Sequence, residues 1–425
     1  MDRKRKRLSN GSTNPLNQDF LSCIINFLDI PSICILLQTS KEFRFYVNKS
    51  KRDNRKIIKL EKLPSNSILF ENICYFQIDY ETIDIDNIPV KQNETHLIYY
   101  YLPDKYRNSS LYPKSFWTLV IPFISLILDN IHYLDLSCCW NITDVNALGN
   151  VHSLDLSDCD KITDVSDLGN VHNLDLCGCD NIRDVRALGN VHTLNLSGCN
   201  KITDVSALGN VHILSLRSCH KITDVKALGN VHTLRLSNCD KITDVSDLGN
   251  VHNLDLSECG KITDVSALGN VHTLNLSNCN KIKDVKDLGN VHTLDLSECD
   301  KITDVSDLGN VHTLDLSYCD KITDVRALSN VHTLWLSDCE GITDVSNLGN
   351  VHTLDLSYCD KITDVSSLGN IHTLDLSYCD KITDVSMLIN VHILKLKDCD
   401  NISDENIKLL KERNPTIRIK TNRVI

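Results

Sequence analysis

The chain has 425 residues and a formal net charge of −12 at pH 7, a length that allows two or three domains. The charge is unevenly divided, because residues 131–400 carry −19, residues 1–130 carry +4 and residues 401–425 carry +3. So acidic an elongated segment disfavours nucleic acid, since phosphate binding needs a cationic surface, and it favours basic protein partners.

The N-terminus begins with a basic run, Arg3–Arg7, and no apolar segment follows it, so no secretory signal is expected. The most apolar run, residues 116–128, is too short to span a bilayer. These features predict an intracellular protein without a membrane segment, whose 19 cysteines remain thiols. Within a predicted disordered segment 1–13, Arg3–Arg7 is either a nuclear import signal or solvated chain. The predicted location is the cytoplasm, with the nucleus as the alternative.

Residues 14–50 predict a small helical domain, because their apolar residues fall in two helical stripes separated by Asp29-Ile-Pro31. The stretch 16–44 resembles an F-box. The matching segments are Leu16–Asp19, Ile24–Asp29 and Ser40–Arg44, against the family's Leu-Pro-x-Glu, Ile-(Leu/Phe)-x-(Tyr/Phe)-Leu-Asp and Cys-Lys-x-Trp-Arg. Asn17, Ser40 and Phe43 stand where that family usually has Pro, Cys and Trp.

The F-box resemblance implies docking onto a Skp-type adaptor of a cullin ubiquitin ligase. The alternative is a plain helical bundle that caps the rest of the chain. The adaptor-binding residues that the resemblance implies are Leu16, Phe20, Leu21, Ile24, Leu28, Ile33, Leu36 and Phe43.

Residues 51–110 are rich in Asn, Ile, Lys and Tyr and predict a folded connector with short strands, in which no catalytic or phosphate-binding motif stands out. Residues 111–130 predict a degenerate first coil that caps the following tract. Such a connector, together with near-identical repeats, resembles proteins of A/T-rich genomes such as those of amoebae or the giant viruses that infect them.

From residue 131 to residue 410 the chain repeats nearly the same twenty residues fourteen times, as in VHTLDLSECDKITDVSDLGN at residues 291–310. Positions 4 and 6 of each copy are leucine and flank a mostly polar residue, which predicts a short strand with both leucines inward. Positions 9, 12, 15 and 18 are Cys, Ile, Val and Leu except at Glu405 and Lys408, and they complete a predicted core. A fixed period of this length is typical of a solenoid.

Each copy also has aspartate at position 14 and usually glycine at position 19, residues that fit a helix N-cap and a helix C′ position. Only four or five residues separate them, so a 3₁₀ turn or an irregular arc is expected on the convex side. The pattern resembles leucine-rich repeats of the cysteine-containing type found in F-box proteins. It implies an α/β solenoid with one parallel β-sheet over residues 131–400.

Residues 401–425 depart from the repeat and predict a C-terminal cap. Their first part has the spacing of an amphipathic helix that begins near Ser403 or Asp404. Residues 416–419 predict a last strand. A true helix here would close the end of the core.

Two residue ladders run through the tract, Cys139 to Cys399 at position 9 and His132 to His392 at position 2. Zinc sites need cysteines that converge on one point, so a linear ladder favours small buried residues whose thiols point at the turn backbone. The histidines predict either a pH sensor, because protonation would place like charges at strand spacing, or a stacked polar ladder beside the sheet.

Aspartate at position 5 lines the presumed concave face and predicts either a stripe for a basic partner or an ordinary hydrated surface. These residues are Asp135, Asp155, Asp175, Asp255, Asp295, Asp315, Asp355 and Asp375. Some copies place aromatic or basic residues at positions 5, 7 and 8, where exposed side chains of these types are enriched at interface hot spots; the alternative is drift among copies. The predicted target-binding residues are Trp335, Tyr318, Tyr358, Tyr378, Asp315, Asp355, Asp375, Arg217 and Arg235.

Three functions remain open from the sequence. The first is a non-enzymatic adaptor whose F-box docks on a Skp-type protein while the repeats hold a target protein; in a virus it would redirect host ubiquitination. The second is a stand-alone recognition scaffold. The third is a repeat-bearing ubiquitin ligase with a catalytic cysteine, for which only residues 45–110 would be large enough to supply an additional domain. The expected protein needs no cofactor or metal.

Overall fold

In a computed structural model, the described parts of the chain are strands β1 (Asn48–Lys49), β2 (Lys56–Ile57) and β3 (Ile98–Tyr101), and residues 131–422. Strands β1 and β2 pair antiparallel. The F-box-like residues from Leu16 to Phe43, the basic run at the N-terminus and the expected first coil 111–130 lie outside the described residues.

Each copy of the repeat contributes one short strand to a single parallel sheet. Strands β4 to β17 are Ile131–Asp135, Ser153–Asp155, Asn173–Asp175, Thr193–Asn195, Ile213–Ser215, Thr233–Arg235, Asn253–Asp255, Thr273–Asn275, Thr293–Asp295, Thr313–Asp315, Thr333–Trp335, Thr353–Asp355, Thr373–Asp375 and Ile393–Lys395. With β3 and a last strand β18 (Arg418–Lys420), they form a sheet of 16 strands in chain order. The predicted solenoid with one parallel sheet is confirmed.

The strands pair in register, so that the same position of each copy meets itself in the next one, as Leu274 does with Leu294. The leucine at position 4 points inward because side chains alternate along a strand, and the leucine at position 6 follows on the same side. Both are almost fully buried, and so, from Val151 to Ile402, are the residues at positions 1, 9, 12, 15 and 18. These seven positions stack into one continuous core, as predicted for six of them; the buried first position adds the seventh.

Position 8 lies in the turn after each strand, and its backbone is left-handed in every copy. The φ angles there run from 51° at Asp398 to 74° at Gly198. Only glycine adopts this region without steric cost, which is about 1 kcal/mol or more for other residues. Seven of the fourteen copies have a residue other than Gly, Asn or Asp there, so in those copies the turn is imposed by the pairing of the coils and not by local preference.

The Gly198→Ala substitution tests that conclusion. Its φ is +74°, and no atom comes within 3.7 Å of an added Cβ, so the cost should come from the backbone alone. We expect a loss of about 1 kcal/mol in the free energy of unfolding, measured by denaturant titration. The reciprocal change Glu298→Gly, at a φ of 58°, should stabilise the protein. An unchanged midpoint in both variants would contradict the expectation.

The convex side of the coils carries 3₁₀ helices, as predicted. They are Asn146–Leu148, Ser166–Asn170, Arg186–Asn190, Ser206–Leu208, Lys226–Leu228, Ser246–Leu248, Ser266–Leu268, Lys286–Leu288, Ser306–Asn310, Arg326–Asn330, Leu348–Asn350 and Ser366–Leu368. The expected N-cap role of the position-14 aspartate needs correction, because the residue before the helix is the valine at position 15, as at Val305. Asp304 lies one residue earlier, and its carboxylate accepts from the first helical N–H, that of Ser306, at 3.0 Å.

The position-19 glycine also has another role than the predicted C′ position. Gly289 has an ordinary φ of −63°. A Cβ there would lie 2.3 Å from the carbonyl oxygen of Asp307 in the next coil. Similar distances of 2.1 to 2.5 Å recur at the position-19 glycines from Gly149 to Gly369. Glycine is therefore required because neighbouring coils approach closely, not because of a left-handed backbone.

At the C-terminal end, the predicted helix is present as α1 (Asp404–Arg413), and the Ser403 side chain accepts from the Asn406 N–H at its N-terminus. Ile407 and Leu410 are buried against the last coil. The last strand begins two residues later than predicted, because Thr416 donates back to the Asn414 side chain before β18 pairs with β17.

At the N-terminal end, β3 pairs in parallel with β4. The sheet therefore starts within the segment that the sequence assigned to the connector. The edge of β4 that would otherwise be open has a backbone partner, which is how natural sheets protect their ends.

Candidate functional site

The cysteine ladder is part of the scaffold. From Cys159 to Cys399 each thiol is buried and donates to the carbonyl oxygen of the position-6 leucine in the preceding coil, as Cys279 does to Leu256 at 3.2 Å. Burial raises the pKa of these thiols, for instance that of Cys239 to about 11, so the nucleophilic thiolate is disfavoured. The prediction that the thiols point at the turn backbone is confirmed.

The histidines at position 2 form a stacked column beside the sheet. From His152 to His392 neighbouring ring centroids lie 4.6 to 4.8 Å apart. Most of the rings have Nδ1 within 3.1 to 3.3 Å of the side chain at position 3, as His292 has of the Thr293 hydroxyl. Among the residues that the structure describes, no group of three or more His, Cys, Asp or Glu could hold a metal ion. The stacked ladder is thus confirmed as a structural feature.

The solvent-facing side of the sheet carries the position-5 carboxylates in adjacent strands. Most of them accept from the backbone N–H two residues later, as Asp295 does from Ser297 at 2.9 Å. Partial burial, together with the neighbouring carboxylates, raises the pKa of Asp155 and of Asp315, despite the hydrogen bonds that lower it. Repulsion between these side chains therefore persists in the folded protein.

Cations offset this repulsion at only some of the predicted site residues. Arg217 reaches across two strands to Asp255 at 2.8 Å. Lys395 pairs with Asp375 at 2.8 Å, and Asp375 is buried. Arg217 is thus engaged within the sheet surface, and Asp375 is less available to a partner than the sequence suggested. Arg235 is half-buried on β9, next to Asp255 in register.

The predicted aromatic residues lie towards the C-terminal end of the same surface. Trp335 is half-buried on β14, in register with Asp315 on β13 and Asp355 on β15. At position 8, Tyr318 and Tyr358 are 50% and 44% exposed. The structure therefore places these residues on one stretch of the surface, as their spacing suggested.

Tyr378 is arranged differently from the other two tyrosines. Its ring stacks on that of Tyr358, with centroids 4.2 Å apart. The ammonium of Lys397 lies 5.1 Å from the centroid of the Tyr378 ring. Lys397 replaces the serine usual at position 7, and the twenty-residue register places it and Tyr378 in adjacent coils, a contact that the sequence analysis did not predict.

Within the described part of the chain, no helix is both long enough and apolar enough to span a bilayer. An exposed Trp140 at the first turn of the tract was not among the predicted binding residues. Its signal in the sequence is that all other copies have a polar residue or glycine at that position.

A family model described as "Leucine Rich repeat" matches residues 150–166, 190–209, 350–366 and 370–388. No curated protein sequence matches the chain. The chain is similar in structure to an internalin (inlF) from Listeria monocytogenes, with 21% identity, 67% of this chain and 84% of that chain covered and a TM-score of 0.44.

Two further solved structures are similar. A leucine-rich-repeat protein of Leptospira interrogans has 19% identity, covers 70% of this chain and 97% of its own, and has a TM-score of 0.45. The functional domain of InlJ from Listeria monocytogenes, which includes a cysteine ladder, has 20% identity and a TM-score of 0.41. The match covers 64% of this chain and 70% of that chain.

Proposed function

Because the repeat tract is a solenoid of leucine-rich repeats, we propose that its sheet surface binds a protein partner through the stretch around Trp335. The observation that carries this proposal is that exposed tyrosines, a half-buried tryptophan and carboxylates share one surface of adjacent strands. Aromatic residues of this kind supply most of the binding energy at protein interfaces. The ladders of cysteine and histidine act as scaffold.

A Trp335→Ala variant tests the proposed binding surface. Proximity labelling in cells should lose a subset of the partners that the unmodified protein labels, because removal of a central aromatic anchor typically costs about 2 kcal/mol or more in binding. The matched control is Trp140→Ala at the first turn, which should leave the labelled set unchanged. If Trp335→Ala labels the same proteins as the unmodified chain, the surface is wrongly placed.

We further propose that the chain is a substrate-recognition adaptor of a Skp/cullin-type ubiquitin ligase. The support is the F-box resemblance of residues 16–44, ahead of a tract of leucine-rich repeats. The F-box would dock on the Skp-type adaptor and the solenoid would present the target, while the chain itself would transfer nothing. This role requires a cytoplasmic or nuclear location; in a virus, the chain would redirect host ubiquitination.

The adaptor role predicts that the full chain captures a Skp-type adaptor in a pull-down and that Leu28→Asp abolishes the capture. A buried charge in an apolar interface is strongly unfavourable, so a loss of about a hundredfold or more in affinity is expected. The Leu28→Asp variant must keep the far-ultraviolet circular dichroism of the parent. No capture by the unmodified chain would leave the second candidate, a stand-alone protein-binding scaffold, as the better description.

A further inference from the structure

Trp335 occupies the place of an aspartate in a row of aspartates. The register Asp315–Trp335–Asp355 puts the indole between two carboxylates on the adjacent strands. Neighbouring strands lie about 4.8 Å apart, so the two carboxylates flank the ring at roughly 10 Å from each other. An aromatic face with a negative charge on either side attracts a cation both to the ring and to the carboxylates.

The two carboxylates beside Trp335 lack the compensation found elsewhere on this surface. Asp255 and Asp375 have Arg217 and Lys395, but within the described residues neither Asp315 nor Asp355 forms an ion pair, and Lys395, two strands from Asp355, acts on that carboxylate only at longer range. Oδ1 of each accepts from the backbone N–H two residues later at 2.9 Å. Burial, and then the repulsion from Asp295 and Asp355, raises the pKa of Asp315, so a cation here would relieve an existing unfavourable interaction.

Tyr318 and Tyr358 stand at the turns that follow Asp315 and Asp355. Both have a φ of 61°, in the left-handed region where a side chain costs about 1 kcal/mol or more. Gly178 and Gly198 fill the equivalent position without that cost. Both rings remain about half exposed and are accessible to another molecule. For Tyr358, the stack on Tyr378 offsets part of the backbone cost.

We propose that this surface, formed by Trp335, Asp315, Asp355, Tyr318 and Tyr358, is a recognition site for an arginine-bearing basic segment of a partner protein. The guanidinium would lie on the indole of Trp335 and donate to the two flanking carboxylates, while the tyrosines contact the neighbouring residues of the segment. Arginine fits better than lysine because its planar group stacks on aromatic rings and donates bidentately to carboxylates.

The inference rests on the proposed protein-binding function and names the chemistry of the partner. The acidic tract could also attract any polycation, and a second pair of carboxylates in the same tract serves as the control that distinguishes the two cases. Asp155 and Asp175 are adjacent carboxylates at the same position 5, on β5 and β6. No aromatic residue occupies position 5 of either neighbouring strand, where Asp135 and Asn195 stand.

The test uses the full chain and a fluorescein-labelled peptide of four Arg-Gly repeats, titrated by fluorescence anisotropy at about 0.15 M salt. We expect saturable binding that weakens about tenfold or more in Asp315→Asn/Asp355→Asn and in Trp335→Leu. The matched control Asp155→Asn/Asp175→Asn removes the same charge and should change the affinity by less than about threefold. A peptide of four Lys-Gly repeats should bind more weakly than the arginine peptide.

Equal weakening in the two pairs of Asp→Asn variants would mean non-specific charge attraction and overturn the proposal, as would the absence of saturable binding. Thermal unfolding of each variant separates lost recognition from lost folding. Should Trp335→Leu unfold, Trp335→Phe and Trp335→Asp replace it. The phenylalanine variant should retain most of the binding, and the aspartate variant should lose it. If proximity labelling depends on Trp335 while the peptide ignores both pairs of variants, the protein-binding function stands and only the arginine chemistry is wrong.

Discussion

Replacement of Gly289 by alanine should lower the free energy of unfolding by about 3 kcal/mol. The backbone conformation at Gly289 suits any residue, since its φ is −63°. The added methyl group would instead lie 2.3 Å from the carbonyl oxygen of Asp307. That oxygen belongs to the adjacent coil, so relief of the clash must separate two coils whose core residues, Leu288 and Leu308, are fully buried.

Urea titration of Gly289→Ala against Gly260→Ala measures the effect. Gly260 has no heavy atom within 4 Å of an added Cβ, so alanine there should be neutral or stabilise the protein slightly by restricting the unfolded chain. The two substitutions add the same methyl group, and only its surroundings differ. Equal midpoints for the two variants would show that the coils separate at little cost, contrary to the close approach seen here.

Three copies lack this glycine and have Ser329, Ile389 and Leu409 at position 19. Ser329 stands at position 19, and the 3₁₀ helix of the next coil is Leu348–Asn350, which begins two residues later than in the coils on either side. In all other copies before it, a glycine faces a 3₁₀ helix in the usual place. The turn keeps the hydrogen bond from the Leu348 N–H to the Val345 carbonyl oxygen, at 3.0 Å, so the coil accommodates Ser329 without losing that contact.

The sequence predicted the parts of the fold that depend on side-chain periodicity. Alternating leucines identified the strand, and the short interval between aspartate and glycine indicated a 3₁₀ turn. It did not predict the left-handed residue at position 8, because tyrosine and glutamate occur there and have no such preference. Nor could it assign the true role of Gly289, since a close approach between coils depends on coordinates, whereas a C′ position can be read from local sequence.

The candidate site was predicted as a group, but its members are not equivalent. The sequence treated Asp315, Asp355 and Asp375 alike, whereas the structure pairs Asp375 with Lys395. The twenty-residue register was sufficient to anticipate this pair, because both residues occupy position 5 of neighbouring copies. How far each ring is exposed was not predictable, since the exposure of Tyr358 and Tyr378 depends on their mutual stacking.

Acidification from pH 7.5 to 5 should destabilise the solenoid through the histidine column. Desolvation, and then the adjacent imidazoles, lowers the pKa of His192, His232, His292 and His352. A group whose pKa is lower in the folded than in the unfolded state favours unfolding once the unfolded chain takes up protons. These histidines therefore leave the free energy of unfolding undiminished above pH 6.5, which is about the pKa of histidine in the unfolded chain. They lower it as the pH falls below that value.

The expected loss of stability on protonation follows from the spacing of the imidazole rings. Two like charges 4.7 Å apart repel by about 1 kcal/mol in water and by about half as much at physiological salt. Twelve adjacent pairs connect the rings from His152 to His392. Each adjacent pair in which both rings become protonated would therefore destabilise the fold by about half a kcal/mol at physiological salt.

The position-14 aspartates affect the stability in a different pH range. Hydrogen bonds from the backbone and side chain two residues later lower the pKa of Asp304, for example, so its contribution is present above the unfolded value and is lost only as the pH falls below about 4. Urea midpoints measured between pH 5 and 7.5 thus report on the histidines. This separation allows the column to be tested without interference from the position-14 aspartates.

Replacing alternate histidines, in the variant His212→Thr/His252→Thr/His292→Thr/His332→Thr, leaves the remaining rings of that stretch two coils apart. At roughly 10 Å the screened repulsion is small, so this variant should lose much less stability than the parent between pH 7.5 and 5. Because threonine already occupies position 3 beside most of these rings, the substitution suits the sheet margin. Parallel pH profiles for parent and variant would assign the acid sensitivity to groups other than the stacked imidazoles.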